Sequence, residues 1–429
     1  MNKLLMFFIT VAILLSVLTI PATALLNGDI NVNDKIDARD YVLLKRAYFE
    51  TYKLTQTQQA LADINGNGKI DARDYLLLKR AYFGTYTISH LDRATLGEDI
   101  LLSYVSTTNQ SVCATKEDFL ASAGYYKDGK LQDYMFDSFI FLCQPNFLYG
   151  WNSDGSSYLK PYTKSDWQNY ITSAEFAANK NINALDAAVG ELKHQLNDPN
   201  YKAKVYMTLF YPVPEVTSFG IVNGKNLNLS VLEDRYAAME WMVDESIEQF
   251  NSHNYQNVEL AGFYWFCEEM YEPYADGAKI AKHTTDYVRS KGLKTVWCPY
   301  FGATRYANWK PLGFDIAAMQ ANYFPSHHSD WPNAGGSERL DQIANAVRLY
   351  KIGVGMELSD IQTESIKIFK EYMSAAITKD FYVTNHIYYM DIGPSLVSTI
   401  AKSTDAYTRS TYDELYKFLN RTLTADEII

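Results

Sequence analysis

Two stretches of the chain are almost the same, and they lie 34 residues apart. Residues 29–49 read DINVNDKIDARDYVLLKRAYF, and residues 63–83 read DINGNGKIDARDYLLLKRAYF. In each copy, oxygen-bearing side chains fall at positions 1, 3, 5, 9 and 12. They are Asp29, Asn31, Asn33, Asp37 and Asp40, then Asp63, Asn65, Asn67, Asp71 and Asp74. Oxygen ligands alternating around a tight turn, with a carboxylate at position 12, are how a twelve-residue loop wraps calcium. Aspartate at position 12, where an EF-hand carries glutamate, shortens the reach and keeps the oxygen. Ile36 and Ile70, at position 8, are expected to anchor each loop to a small core. A helix-favouring run follows each loop. The expectation is a small all-α module binding two Ca²⁺ ions. Position 6 needs a sharp turn that glycine supplies cheaply. It is Gly68 in the second copy and Asp34 in the first, so the first site is expected to be the weaker.

Two such half-EF-hand repeats resemble a type I dockerin across roughly residues 26–88. The resemblance implies calcium-dependent docking onto a cohesin module of a scaffold protein, in a cellulosome-type assembly. By position it points to Ala38, Arg39, Lys45 and Arg46, with Ala72, Arg73, Lys79 and Arg80, as the recognition surface.

Ahead of this module, residues 1–24 read as a signal peptide. Lys3 supplies the positive start, residues 4–20 an apolar run, and Ala22-Thr-Ala24 an A-x-A cleavage site. No later run is long and apolar enough to span a bilayer, so the expectation is a secreted, extracellular protein with no membrane attachment once the leader is cleaved. A net charge of −11 argues against a nucleic-acid partner. The four cysteines, Cys113, Cys143, Cys267 and Cys298, lack both a disulfide-scaffold density and a CxxC zinc spacing. Buried thiols are expected, with one disulfide left open.

From about residue 96 the pattern changes. Apolar, β-favouring runs at 100–105, 138–143, 205–210, 258–266, 294–298, 316–323, 353–357 and 384–389 now alternate with amphipathic windows. Those windows are 165–179, 184–196, 232–250, 275–291, 339–349 and 365–377. Alternation of this kind argues for a parallel sheet covered on both faces. Eight strands in residues 96–429 suggest a (β/α)₈ TIM barrel, with the first and fifth connections least defined. An open doubly wound sheet is the other option. It would normally bring a glycine-rich phosphate loop, and no GxGxxG or Walker sequence is present. The barrel itself is expected to need no cofactor.

The fourth run, AGFYWFCEE, ends in Glu268 and Glu269, and the seventh, GVGME, ends in Glu357. Barrel active sites form at strand C-terminal ends, and two facing carboxylates are the minimal apparatus of glycoside hydrolysis. Acids at strands four and seven resemble clan A of the retaining glycoside hydrolases. The resemblance implies an acid/base on strand four and a nucleophile, Glu357, on strand seven. Where that clan carries Asn before the acid/base, Cys267 stands here, so Glu268 and Glu269 both remain candidates. Strand alternation favours Glu268, on the face of Tyr264 and Phe266. Retention requires carboxyl groups about 5–5.5 Å apart, and inversion about 6.5–9.5 Å.

Tyr323 is placed to hydrogen-bond Glu357, and Trp151, Trp297, Trp309 and Trp331 are candidate stacking platforms for sugar faces. His327, His328 and His386 are candidates for contacting sugar hydroxyls. The stretches YMFDSFIFL, ALDAAVGELK, GFYWFCEE and VGMELSD also resemble a family of uncharacterised secreted bacterial proteins with a barrel of this type. The functional expectation is a scaffold-docked glycoside hydrolase acting on a polysaccharide or glycan. A non-catalytic carbohydrate-binding barrel carried by the same module is the alternative. An esterase or peptidase would need a nucleophile–base pair, and no GxSxG elbow is present.

Overall fold

In a computed structural model, residues 27–33, 35–64, 69–84, 97–106, 109–143, 162–270, 276–323, 338–379, 381–391 and 393–428 are described. The leader segment, Asp34, Asn65, Asn67, Gly68, Trp151, His327, His328 and Trp331 lie outside them, and the side chain of Arg73 is also not described. The chain divides into two compact units, Met1–Arg93 and Ala94–Ile429.

The first unit carries helices α1 (Ala38–Tyr48), α2 (Gln56–Ala62) and α3 (Ala72–Tyr82). Asp37 caps α1 through a capping box closed by Asp40, which satisfies two backbone donors that a helix start leaves without partners. Leu44 and Leu78, at equivalent repeat positions, are fully buried, and the rings of Tyr41 and Tyr75 meet with centroids 4.9 Å apart. The expected position-8 anchors Ile36 and Ile70 are only half-buried. Ile30 and Ile64, at position 2, take that role with 0% and 8% exposure. In each repeat position 2, directly after the first ligand position, points into the small core.

The second unit is built on eight parallel strands: β1 (Asp99–Val105), β4 (Ser138–Cys143), β5 (Ala203–Leu209), β8 (Val258–Trp265), β9 (Lys294–Trp297), β10 (Ile316–Gln320), β11 (Gly353–Leu358) and β12 (His386–Met390). Two short hairpins complete the numbering: β2–β3 (Gly124–Lys127, Lys130–Tyr134) and β6–β7 (Gly220–Val222, Lys225–Leu227). The eight strands run parallel and close into a barrel in the order β1-β12-β11-β10-β9-β8-β5-β4. β4 and β11 are buried at every residue, as strands covered on both faces must be.

Helices α4 (Lys116–Ala123), α6 (Asn181–Leu196), α7 (Leu232–Ser252), α8 (Gly277–Ser290), α9 (Glu338–Tyr350) and α10 (Thr363–Thr378) lie in the crossovers. α5 (Lys164–Asn169) runs on into a π-turn at Tyr170–Ala174, and α11 (Pro394–Ala401) and α12 (Ala406–Leu419) follow the last strand. The first connection holds α4 and a hairpin. The fifth holds only a 3₁₀ turn, Tyr306–Asn308.

Side-chain alternation splits the core in two. Ile100, Leu102, Ile140, Leu142, Tyr206, Tyr264, Val296, Cys298, Ile316, Ala318 and Ile387 fill the barrel interior, while the outward set packs under the helices. On β11 the inward positions are Gly353, Gly355 and then Glu357. A Cβ at Gly353 would meet the Asn385 carbonyl oxygen at 2.2 Å, so the close approach of β11 to its neighbour requires glycine there.

Near the N-terminal end of the barrel, on the outward face of β1 and β12, lies a buried polar knot. Asp99 stands 3.0 Å from Nδ1 of His386, accepts from the Tyr388 hydroxyl at 3.0 Å, and pairs with Arg421 at 2.9 Å. The sequence makes His386 a candidate sugar contact, and the structure overturns that. It is fully buried at the start of β12, with Nε2 2.9 Å from the Phe381 carbonyl, at the end opposite Glu357. All four cysteines are free thiols. Cys113, Cys143 and Cys298 are buried, and Cys267 is half-buried.

Candidate active site

Beyond Trp265 the chain runs on for two residues and bends at Glu268 and Glu269. Phe266 N–H donates to Leu209 O at 3.1 Å, and the Glu268 carbonyl accepts from Tyr300 N–H at 3.2 Å. Tyr264 and Phe266 face the barrel interior, and Glu268 lies on the same side, beside Tyr264, Tyr389 and Cys298. It is half-buried. Its Oε1 accepts from the Tyr389 hydroxyl at 2.9 Å. Burial pushes its carboxyl above the ordinary carboxylate range, and hydrogen bonds from Tyr389 and the Gln320 side chain oppose that shift. Glu269 turns away. Its Oε1 accepts from Met270 N–H at 2.7 Å and Thr304 N–H at 2.8 Å, tying down the loop after β9.

Glu357 is 4% exposed. Its Oε2 accepts from the Tyr372 hydroxyl at 2.5 Å and from Tyr323 N–H at 3.3 Å. Asn322, just past the end of β10, takes a left-handed φ of 50°. Asparagine tolerates that region better than most residues, and here the N–H groups of 322 and 323 both serve Glu357. Burial raises Glu357, its three donors pull it down and the nearby charge of Glu268 adds to the rise, which leaves it up at about 7. Cys298 lies between the two acids. Burial raises its thiol well above the ordinary range, and both carboxylates add to the effect. Glu268 and Glu357 therefore lie near enough at the C-terminal end of the barrel for the charge of one to raise the other.

Other candidates land elsewhere. The Tyr323 phenol donates to Glu371 Oε2 at 2.5 Å; only its backbone reaches Glu357. Trp297 is fully buried, with Nε1 donating to Cys267 O at 2.8 Å, and Trp309 is 3% exposed, with Nε1 on Tyr350 O at 3.0 Å. Both indoles pack in the shell under the helices, so neither offers a face to a sugar. The barrel mouth is lined by tyrosines instead. Tyr389 engages Glu268, and the Tyr104 phenol is raised by burial and by the charges of Asp391 and Glu268. Asp391 is a third strand-end acid, exposed one residue past β12. Strand alternation would have flagged Tyr104, Tyr389 and Asp391 once the strand ends were known. Tyr372 carried no signal, because its reach depends on how α10 packs.

In the calcium loops, Asp29, Asp40 and Asp74 are buried at 3%, 0% and 0% exposure. Asp40 Oδ1 accepts from Asn31 N–H and Oδ2 from Asp37 N–H, each at 2.8 Å. Asp74 receives the equivalent bond from Asp71 N–H at 2.8 Å. Burial, and then the charges of Asp29 and Asp37, raise the Asp40 carboxyl. A loop that gathers like charges around a buried acid fits a hard divalent cation held by oxygens. Among the described residues no three His, Cys, Asp or Glu side chains close on one point; the loop's donor set includes the Asn amides. Ala38, Arg39, Lys45, Arg46, Ala72, Lys79 and Arg80 are all exposed.

The comparisons with known proteins divide along the same lines. Residues 27–81 match the type I dockerin domain. Residues 99–417, most of the chain, match the family described as Domain of unknown function (DUF4855). The chain belongs to the DUF4855 family. No curated protein matches it significantly. Among solved structures, the chain is similar to a mutant tryptophan synthase alpha-subunit from the hyperthermophile Pyrococcus furiosus. Identity is 11% over 76% of this chain and 97% of that one, with a TM-score of 0.34. A putative deoxyribose-phosphate aldolase from Toxoplasma gondii ME49 is similar at 11% identity, over 74% and 92% of the two chains, with a TM-score of 0.34. Type I dockerins bind calcium, and the module implies a cohesin partner in a cellulosome-type, typically extracellular assembly. No helix among the described residues is long and apolar enough to cross a membrane.

Proposed function

We propose that the DUF4855 barrel is a glycoside hydrolase, secreted behind a cleaved leader of residues 1–24 and carried onto a scaffold by a dockerin spanning about 26–88, with the barrel taking up 96–429. One observation carries the reading. Two carboxylates, from the fourth and seventh barrel strands, lie near each other at the C-terminal end of the barrel and are treated differently by their surroundings. Burial raises both carboxyls, Glu357 to about 7, so the roles are assigned by position: Glu268, half-exposed at the end of its strand, suits an acid that protonates a leaving oxygen. Glu357 is held by three donors that favour its charge, which suits a nucleophile at the anomeric carbon. Glu269 is already committed to backbone donors, which supports Glu268 as the acid/base.

Hydrolysis of a polysaccharide panel by the full secreted chain, with Glu268→Gln and Glu357→Gln beside it, tests this. Proton NMR of the first-formed anomer distinguishes retention from inversion. Turnover that survives both substitutions sinks the assignment. The alternative, a carbohydrate-binding barrel without chemistry, draws on the deep burial of Glu357, and it predicts glycan binding with no released sugar.

A further inference from the structure

We propose that Tyr372 is the positioning residue of this site: its phenolic O–H, delivered from α10, fixes Oε2 of Glu357 and favours its ionised form. This rests on Glu357 being the working carboxylate, but its test does not require turnover. The Tyr372 hydroxyl is fully buried and lies 2.5 Å from Oε2. Its own orientation is set from the other side, because Tyr323 N–H and Tyr323 O each lie 3.3 Å from it. The next-door residue, Glu371, takes the Tyr323 phenol. Consecutive residues of α10 therefore grip the end of β10 and the seventh-strand acid together.

The charged and titratable groups facing Glu357 come from every neighbouring element. They are Tyr372 from α10, Glu268 from the end of β8, Cys298 after β9 and Arg339 from α9, with backbone N–H groups after β10. Arg339 donates to Ala321 O at 2.9 Å and lies with its guanidinium carbon 3.7 Å from the Phe301 ring centroid. Among the described residues, Tyr372 is therefore the one side-chain hydroxyl on the carboxylate. A hydrogen bond to a charged acceptor favours the charged form, so its loss raises the acid's pKa.

The test is a ¹³C-carboxyl NMR titration of glutamate-labelled full-length protein, with the Glu357 resonance assigned by its loss in Glu357→Gln. Tyr372→Phe is expected to move the Glu357 midpoint up by about one to two pH units, while Tyr323→Phe, which frees Glu371 alone, leaves it in place. Should Tyr372→Phe not fold, 3-fluorotyrosine at position 372 keeps the shape and makes the phenol more acidic. The stronger donor then moves the midpoint down. An unchanged midpoint in both Tyr372 variants, or an equal shift in Tyr323→Phe, overturns the proposal. If the midpoint shifts but no glycoside is cleaved, the hydrolase reading fails and the positioning role stands. With a substrate in hand, the acid limb of the kcat/KM profile moves with the midpoint.

Discussion

The molecule holds its clustered acids in two opposite ways. In the calcium loops every donor to Asp40 comes from within nine residues of it. In the barrel the donors to Glu357, Tyr372, Tyr323 and Asn322, are 15, 34 and 35 residues away, and the donors to Glu268, Tyr389 and Gln320, are 121 and 52 residues away. The first arrangement is written by local spacing, and a cation satisfies it. The second exists only when the barrel closes, and protein groups satisfy it. A locally written site can be copied as a unit, as the repeat shows. A globally assembled site cannot.

The largest expected effect separates the two at once. Glu357→Gln should cut glycoside turnover by about 10⁴-fold, and Glu268→Gln by about 10²- to 10⁴-fold. Neither should alter cohesin capture in a pull-down, and a loss of capture in either would break the comparison. On the other side, EDTA, or Asp40→Ala combined with Asp74→Ala, should abolish cohesin capture, because metal ligation and folding of such loops are coupled. Capture at full strength in EDTA would remove the cation from the account.

Next in size is the polar knot. Arg421→Met leaves Asp99 buried without its cation and should lower barrel stability by about 3–5 kcal/mol, read by chemical denaturation. The smallest effect is the most pointed. An acid whose folded pKa is raised binds its proton more tightly when folded, so its stabilising contribution is full below the unfolded pKa and is lost as pH rises through the folded one. For Glu357 the window runs from its ordinary 4.5 to about 7. Glu357→Gln should therefore stabilise the barrel at pH 8, by up to about 3 kcal/mol, and change little at pH 4. Equal melting of the two proteins at both pH values would show that the buried charge carries no cost.

Much of the architecture was legible in the chain. All eight barrel strands overlap β-favouring runs, because residues buried on both faces leave little room for polar letters. The two hairpins, with strands such as Gly220–Val222, were not legible, since so short a run without a core-facing apolar stretch carries no period. Trp297 and Trp309 mark the limit for the site. Their strand-end positions suited stacking platforms, yet which face an indole presents is decided by helices laid over it later. Tyr372 is the same lesson in reverse. A tyrosine on an amphipathic helix looks like core, and only α10's packing aims it at a carboxylate.

The Asp99–His386 contact spans 287 residues, and Arg421 reaches the same aspartate from still further along the chain. As the chain emerges in order, its first barrel strand waits without these partners until nearly the last helix has appeared. Closure of so long a loop is slow, and the half-built sheet carries open edges meanwhile. Removing the chain from Asn420 onward should therefore yield aggregated material rather than a slightly weaker barrel.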